Sequence, residues 1–323
     1  MPTPLTIWCN TSLSPAAQDL LKQKTDATLL FSQEQTYNLG VSSGDSLLEQ
    51  ADVAFGQPNP DQVITLPRLK WVHLTTAGYT RYEREDLRAA MRSRSAIMTN
   101  SSTVYAEPCA QHALAFMMAA ARRLLPAWIN QTTKCEWPAE PIRADSFLLN
   151  GQTALIVGFG AIGQRLAELL APFRMNLIAI RRKPRGDEPI PTRPNSELND
   201  LLPTADHVIN ILPASQETEM FFNADRFRRF KKGAFFYNIG RGTTVDSYTL
   251  WTMLETRKLY AAYLDVTNPE PLPKEHPLWT SPHCLITPHT AGGHNREFES
   301  LVSHFLNNLS RFRAHQPLLD RII

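Results

Sequence analysis

The segment Ala154-Leu-Ile-Val-Gly158-Phe-Gly160-Ala-Ile-Gly163 constrains this chain more than any other feature. An apolar run ends in glycine, two further glycines follow at fixed spacing, and the helical pattern Gln164–Leu170 comes next. That order describes a strand, a tight turn and a helix. Gly158 allows the turn, Gly160 leaves room for a pyrophosphate against the backbone, and Gly163 lets the helix pack closely on the strand. The helix N-terminus adds unpaired N–H groups and the positive end of its dipole. A glycine-rich turn without a ligand would share the spacing, but the strand and helix on either side favour dinucleotide binding. The expected binding positions are Gly158, Phe159, Gly160, Ala161, Ile162 and Gly163.

A dinucleotide with a free ribose 2′-hydroxyl calls for an acid at the end of the next strand, about 20 residues beyond the glycines. The strand Leu177–Ile180 runs instead into Arg181-Arg182-Lys183-Pro184-Arg185, and the first acid is Asp187. Guanidinium groups there suit a 2′-phosphate, so NADP(H) is favoured and NAD(H) remains possible. A solvated basic turn is the plainer alternative.

Short β-rich runs alternate with helical patterns through most of the 323 residues, which predicts parallel α/β architecture in two domains at about 150 residues each. Expected strands are Leu5–Cys9, Thr28–Phe31, Asp52–Phe55, Trp71–Leu74 and Ala96–Thr99, then Ala154–Gly158, Leu177–Ile180, His207–Leu212, Ala234–Ile239, Tyr260–Val266 and Cys284–Thr287. Ser14 suits the cap of a helix over Ser14–Lys24. One long helix is expected from Thr103 to Asn130, bent or broken at Pro108 and Pro126, followed by a loop over Trp137–Arg143. An amphipathic helix over Arg296–Ala314 closes the chain. The tail beyond residue 290 is too short for a domain. It is expected to return to the first one, making that domain discontinuous and leaving a cleft between two lobes. The expected division is 1–100 with 292–323, and 101–291.

Hydrophobic residues at 43% and charged residues at 20% exclude a disordered chain. With 33 Lys and Arg against 31 Asp and Glu, no global field favours nucleic acid or an anionic membrane. The four cysteines (Cys9, Cys109, Cys135, Cys284) form no metal-ligand spacing, so no metal is expected and a reducing compartment is favoured. The first residues lack a signal-peptide pattern, and Ala110–Leu125 is too short and polar to span a bilayer. The expected location is the cytoplasm.

Three further strands end in residues that carry chemistry. Phe236-Tyr-Asn238-Ile-Gly240-Arg241-Gly242 presents an arginine between glycines, which would let a ligand approach. Asp265-Val-Thr-Asn-Pro-Glu270-Pro-Leu-Pro273 ends its strand in a stiff loop with Glu270, and Thr287-Pro-His289-Thr-Ala-Gly292-Gly293 places His289 at the same rim. Singly, each has a bland reading: a surface ion pair, a loop carboxylate, a packed histidine. Three at successive strand ends beyond a dinucleotide loop point to a site. The other histidines lack that placement; His112 and His276 read as packing or solvent residues.

The set GFGAIG, NIGRG, DVTNPEPLP and TPHTAG resembles the D-isomer-specific 2-hydroxyacid dehydrogenases, of the glyoxylate/hydroxypyruvate reductase kind, over nearly the whole chain. The segment Ser101–Phe116 resembles that family's dimer-forming helix, and Leu309–Leu319 its C-terminal signature. The resemblance implies two doubly wound parallel-sheet domains, a Rossmann-type coenzyme domain and a flavodoxin-like substrate domain. It further implies a homodimer formed through about 103–148. Arg241, Glu270 and His289 become the catalytic trio, with Asp265 near the nicotinamide carboxamide. Leu212, Pro213, Thr218, Ile239, Gly240 and Gly292 join the coenzyme positions, and the amides of Ala77 and Gly78 would hold the substrate carboxylate together with Arg241 and His289. Two departures bear on substrate choice: Tyr79-Thr80 stands where a Val-Asp or Ile-Asp pair is common, and Gln111 replaces a frequent Glu.

On this reading a small 2-keto acid is reduced. His289 exchanges the proton, Glu270 orients and charges it, and Arg241 binds carboxylate and carbonyl. Formate dehydrogenases are similar but carry Gln where Glu270 stands. A phosphite dehydrogenase-like relative and a non-catalytic, corepressor-like dinucleotide sensor remain as rivals.

Overall fold

Apolar runs flanked by helices are buried on both faces when they pair in parallel, and every strand pair in the computed structural model of this protein is parallel. The structure describes residues 4–36, 40 and 42–323. The chain divides into two units, one of Met1–Tyr105 with His294–Ile323, the other of Ala106–Gly293.

The first unit holds strands β1 (Thr6–Thr11), β2 (Thr28–Thr36), β3 (Val53–Phe55), β4 (Trp71–His73) and β5 (Ile97–Thr99) in the order β2-β1-β3-β4-β5. This is the flavodoxin-like doubly wound order. Its first helix, Pro15–Lys24, is capped by the Ser14 side chain, which accepts from the Ala17 amide. The C-terminal helix, Glu297–Arg313, packs on this sheet: Phe305 stacks on Phe55 and Trp71 at centroid separations of 4.3 and 5.1 Å. The last residues then pair antiparallel with β5 through Met98 and Thr99, covering a sheet edge that would otherwise expose unpaired backbone.

The second unit holds β6 (Thr153–Val157), β7 (Asn176–Arg181), β8 (Thr192–Pro194), β9 (His207–Asn210), β10 (Ala234–Asn238), β11 (Leu259–Leu264) and β12 (Cys284–Ile286). Their order is β12-β11-β10-β9-β6-β7-β8, the Rossmann arrangement, with the reversal of strand order between β6 and β9. Phe222, Phe227, Phe230 and Phe236 form the aromatic centre of its core.

The long helix differs from expectation. It runs Ser102–Ala121 with Pro108 inside it, and a second helix, Leu124–Thr133, begins after Arg123, which adopts the left-handed conformation at φ 55°. The break therefore falls at Arg123. Pro126 sits in the first turn of the second helix, where a missing N–H leaves no bond unmade. The expected loop over Trp137–Arg143 contains a short helix, Ala139–Asp145. Among the described residues no helix is long and apolar enough to cross a membrane, and no group of three His, Cys, Asp or Glu could hold a metal ion.

Candidate active site

Parallel strands put all their C-terminal ends on one side, so the loops after β6, β9, β10, β11 and β12 share one rim of the second unit. Backbone presses on backbone there. Gly158 has φ +102°, and a Cβ on it would lie 2.9 Å from the carbonyl of Ile211. A Cβ on Gly242 would lie 1.7 Å from the Thr267 oxygen, and one on Gly240 2.6 Å from that of Leu212. The glycines beside Arg241 thus serve loop-to-loop packing.

Gly160 is different: a Cβ there would meet nothing within 4 Å. It is the N-cap of the helix Ala161–Leu170, and no side chain caps that helix. An open approach to uncapped amides at a helix N-terminus is what a pyrophosphate needs. The residues therefore fit a dinucleotide. Gly163 packs as expected, a Cβ there lying 2.6 Å from the Gly158 oxygen and 3.3 Å from Ile156.

Phe159, Leu212 and Ile239 are buried, while Ala161, Ile162 and Gly292 are half-buried and Pro213 is exposed. The Thr218 hydroxyl donates to the Pro213 carbonyl at 2.6 Å, tying its own loop. At the end of β7, Arg181 pairs with Glu188 at 3.5 Å, and Glu188 also accepts from the amides of Arg185 and Gly186. Those amides lead the forces that hold the Glu188 carboxyl below its ordinary pKa. Arg182 lies in solvent against Glu217 at 2.9 Å.

Two buried asparagines tie the rim together. Asn210 donates to Asn238 Oδ1 at 3.0 Å and to Thr244 Oγ1 at 2.7 Å, while the Thr244 hydroxyl and the Asn238 amide donate to the Arg241 carbonyl. Sequence reasoning missed both. Their signal was an asparagine closing each of two apolar strands.

The trio lies on this rim. His289 Nδ1 is 2.9 Å from Glu270 Oε2, and Glu270 Oε1 accepts from the Thr267 amide at 2.9 Å. Burial works to raise the Glu270 pKa. Hydrogen bonds from His289 and Thr267, with the charges of His289 and Arg241, outweigh it and hold the carboxyl below its ordinary value. A carboxylate only accepts, so Nδ1 carries the hydrogen and Nε2 is left to exchange a proton. Burial draws the Arg241 pKa down from its ordinary value, opposed by the charge of Glu270 and by Cys109; the guanidinium remains a cation. Its Nη1 donates to the Gly240 carbonyl at 2.7 Å.

Asp265 takes a part the sequence did not suggest. It is 2% exposed and accepts from Thr287 Oγ1 at 2.6 Å, the Thr290 amide at 2.8 Å and the Ala291 amide at 2.9 Å. It anchors the loop that carries His289.

In the first unit, Ala77 and Gly78 follow β4. Asn100 donates to the Ala77 carbonyl at 2.7 Å, and the Thr76 hydroxyl donates to that of Gly78 at 2.7 Å. A trans peptide sets N–H opposite C=O, so the bond from Asn100 turns the Gly78 N–H away from the carbonyl's partner.

A family model described as "D-isomer specific 2-hydroxyacid dehydrogenase, NAD binding domain" matches residues 114–291. The chain belongs to this family. A glyoxylate/hydroxypyruvate reductase B from Escherichia fergusonii is 31% identical over 76% of this chain and 75% of its own. The human glyoxylate reductase/hydroxypyruvate reductase is 32% identical over 67% of this chain and 66% of its own. Among solved structures, a D-isomer specific 2-hydroxyacid dehydrogenase family protein from Aeromonas salmonicida superposes with a TM-score of 0.75 at 27% identity, covering 99% of each chain. A family member from Xanthobacter autotrophicus, solved with NADPH and MES, shares the fold at a TM-score of 0.82 and 22% identity, covering 99% of this chain and 98% of its own. This D-2-hydroxyacid dehydrogenase is accordingly an oxidoreductase with a nicotinamide-binding Rossmann domain.

Proposed function

We propose that the enzyme reduces a small 2-keto acid to the D-2-hydroxy acid, using NADPH in preference to NADH. The observation that carries the reading is the His289–Glu270 pair at 2.9 Å, with Arg241 close enough for its charge to act on Glu270. The bound coenzyme supplies the hydride, and the chain handles charge and protons. Arg241 binds the carboxylate and carbonyl oxygens and polarises the ketone. His289, charged, protonates the forming alkoxide from Nε2, and Glu270 stabilises that charge and fixes the ring. The amides of Ala77 and Gly78 receive the substrate carboxylate, a role resting on the family resemblance.

Asp265 lies near the nicotinamide carboxamide on the same ground. Arg181 and Arg182 face the 2′-phosphate, a preference supported by the Xanthobacter autotrophicus relative solved with NADPH. The working form is a cytoplasmic homodimer. Free cysteines are consistent with a reducing compartment.

Steady-state oxidation of NADPH and of NADH with glyoxylate, hydroxypyruvate and pyruvate tests the reading. Turnover with at least one acid, and a higher kcat/KM with NADPH, is expected. Equal or better constants with NADH overturn the coenzyme preference. Silence with every acid despite tight coenzyme binding would favour the non-catalytic sensor.

A further inference from the structure

His289 stands at φ +53°, a left-handed conformation uncommon outside glycine, and the bonds around it keep it there. Asp265 does the holding twice. Its carbonyl accepts the His289 amide at 2.8 Å, and its carboxylate takes the three donors of the loop from Thr287 to Ala291 described above. One of these donors is a side chain with a partner of its own. His112, from the helix Ser102–Ala121, brings Nε2 to 3.1 Å from Thr287 Oγ1 and 3.7 Å from Asp265 Oδ1.

Proton accounting fixes the direction of this chain of bonds. A threonine hydroxyl has one hydrogen, and Thr287 gives it to Asp265 at 2.6 Å. Its oxygen must therefore accept from His112, which places a hydrogen on Nε2 of that ring. The neutral form suffices, and burial, partly offset by the charge of Asp265, lowers the pKa of His112. The Phe116 ring closes the other side, edge to face at 4.4 Å.

We infer that His112 is a positioning residue for the reaction: by donating to Thr287 it keeps that hydroxyl turned onto Asp265 and so holds His289 in register with Glu270. This rests on the reading of His289 as the acid–base group. Without the donor, the Thr287 hydroxyl keeps only its bond to Asp265, the loop is held less tightly, and the His289–Glu270 bond is the part that loosens. A loosened bond stabilises the imidazolium less. The basic limb of the reduction profile, where His289 loses its proton, then moves to lower pH.

The test compares His112→Leu with His112→Gln, whose amide nitrogen stands near the place of Nε2. In keto-acid reduction, His112→Leu is expected to lose roughly tenfold to a hundredfold in kcat, as misplacement of a reacting group does. Its basic limb should move to lower pH, and His112→Gln should recover both. Simple destabilisation would lower the melting temperature without moving the limb.

If His112→Leu fails to fold, Thr287→Val against Thr287→Ser carries the same comparison, with the valine variant showing the displaced limb. A wild-type limb and kcat in the Leu variant, or equal losses in the Leu and Gln variants, overturns the inference. His289→Ala separates the two ideas: normal turnover in that variant sinks the acid–base reading itself, whatever His112 does.

Discussion

A carboxylate bonded to one nitrogen of an imidazole decides which nitrogen remains for chemistry, and in this enzyme Glu270 leaves Nε2 of His289. His289→Ala is therefore expected to abolish keto-acid reduction while leaving coenzyme binding, followed by fluorescence titration, largely intact. Arg241→Gln loses an oriented cationic donor and should cost roughly 10²-fold in kcat/KM. A variant at either position with wild-type turnover would remove that residue from the mechanism. Arg181 is engaged by Glu188, whereas Arg182 meets only solvent-exposed Glu217, a pair that contributes little and is easily exchanged for a phosphate. Arg182→Ala should raise the KM for NADPH about tenfold, the worth of one charge-assisted bond, and leave that for NADH nearly unchanged. A parallel rise for both coenzymes would mean that Arg182 does not read the 2′-phosphate.

Most strands were legible because parallel pairing favours a short apolar run; β1, β3 to β7 and β9 to β12 all announce themselves this way, β5 and β12 at the edges included. The other two edges were less so. The second half of β2 is Ser-Gln-Glu-Gln-Thr, and β8 is Thr-Arg-Pro, because a strand with solvent on one side has no need of an apolar sequence. The trio could be named from its strand ends, but the groups that hold it could not. Asp265, Asn210 and Asn238 act through partners distant in sequence, and His112 on an Ala-rich helix looks like packing until Thr287 is seen beside it. His207, the first residue of β9, is another such case. Its Nε2 meets Gln152 Oε1 at 2.5 Å and its Nδ1 meets the Tyr237 hydroxyl at 2.9 Å, an arrangement made for a neutral ring. Burial, opposed by the charge of Asp206, lowers its pKa to about 4. Between the ordinary value of 6.5 and about 4 the unfolded chain binds a proton that the folded chain refuses, so stability falls as pH drops through that window. The full loss is about 3 kcal/mol. Denaturant unfolding of the wild type and of His207→Gln from pH 7.5 to pH 4 should give a shallower pH slope for the variant. Parallel curves would show that His207 does not titrate this way.

The whole molecule has a near-neutral balance of charge, so the homodimer proposed for it needs local apolar surface rather than a global field. Five of the eight exposed large hydrophobic side chains among the described residues fall between residues 124 and 148: Leu124, Trp128, Ile129, Trp137 and Leu148, with Trp137 94% exposed. A contiguous apolar patch is the usual mark of an interaction site, and exposed apolar side chains clustered in one stretch of chain are where the proposed dimer is best sought. Covering it with a second copy removes these side chains from water at about 25 cal/mol per Å² of apolar area. A homodimer uses the same stretch of each chain. Light scattering on the eluting protein should therefore give twice the 36.5 kDa of one chain. The double variant Trp128→Glu, Trp137→Glu, which places carboxylates on that surface, should elute as a monomer with its secondary structure retained. A wild type that stays monomeric at micromolar concentration, or a double variant that stays dimeric, would show that another surface of this enzyme, or none, joins its copies.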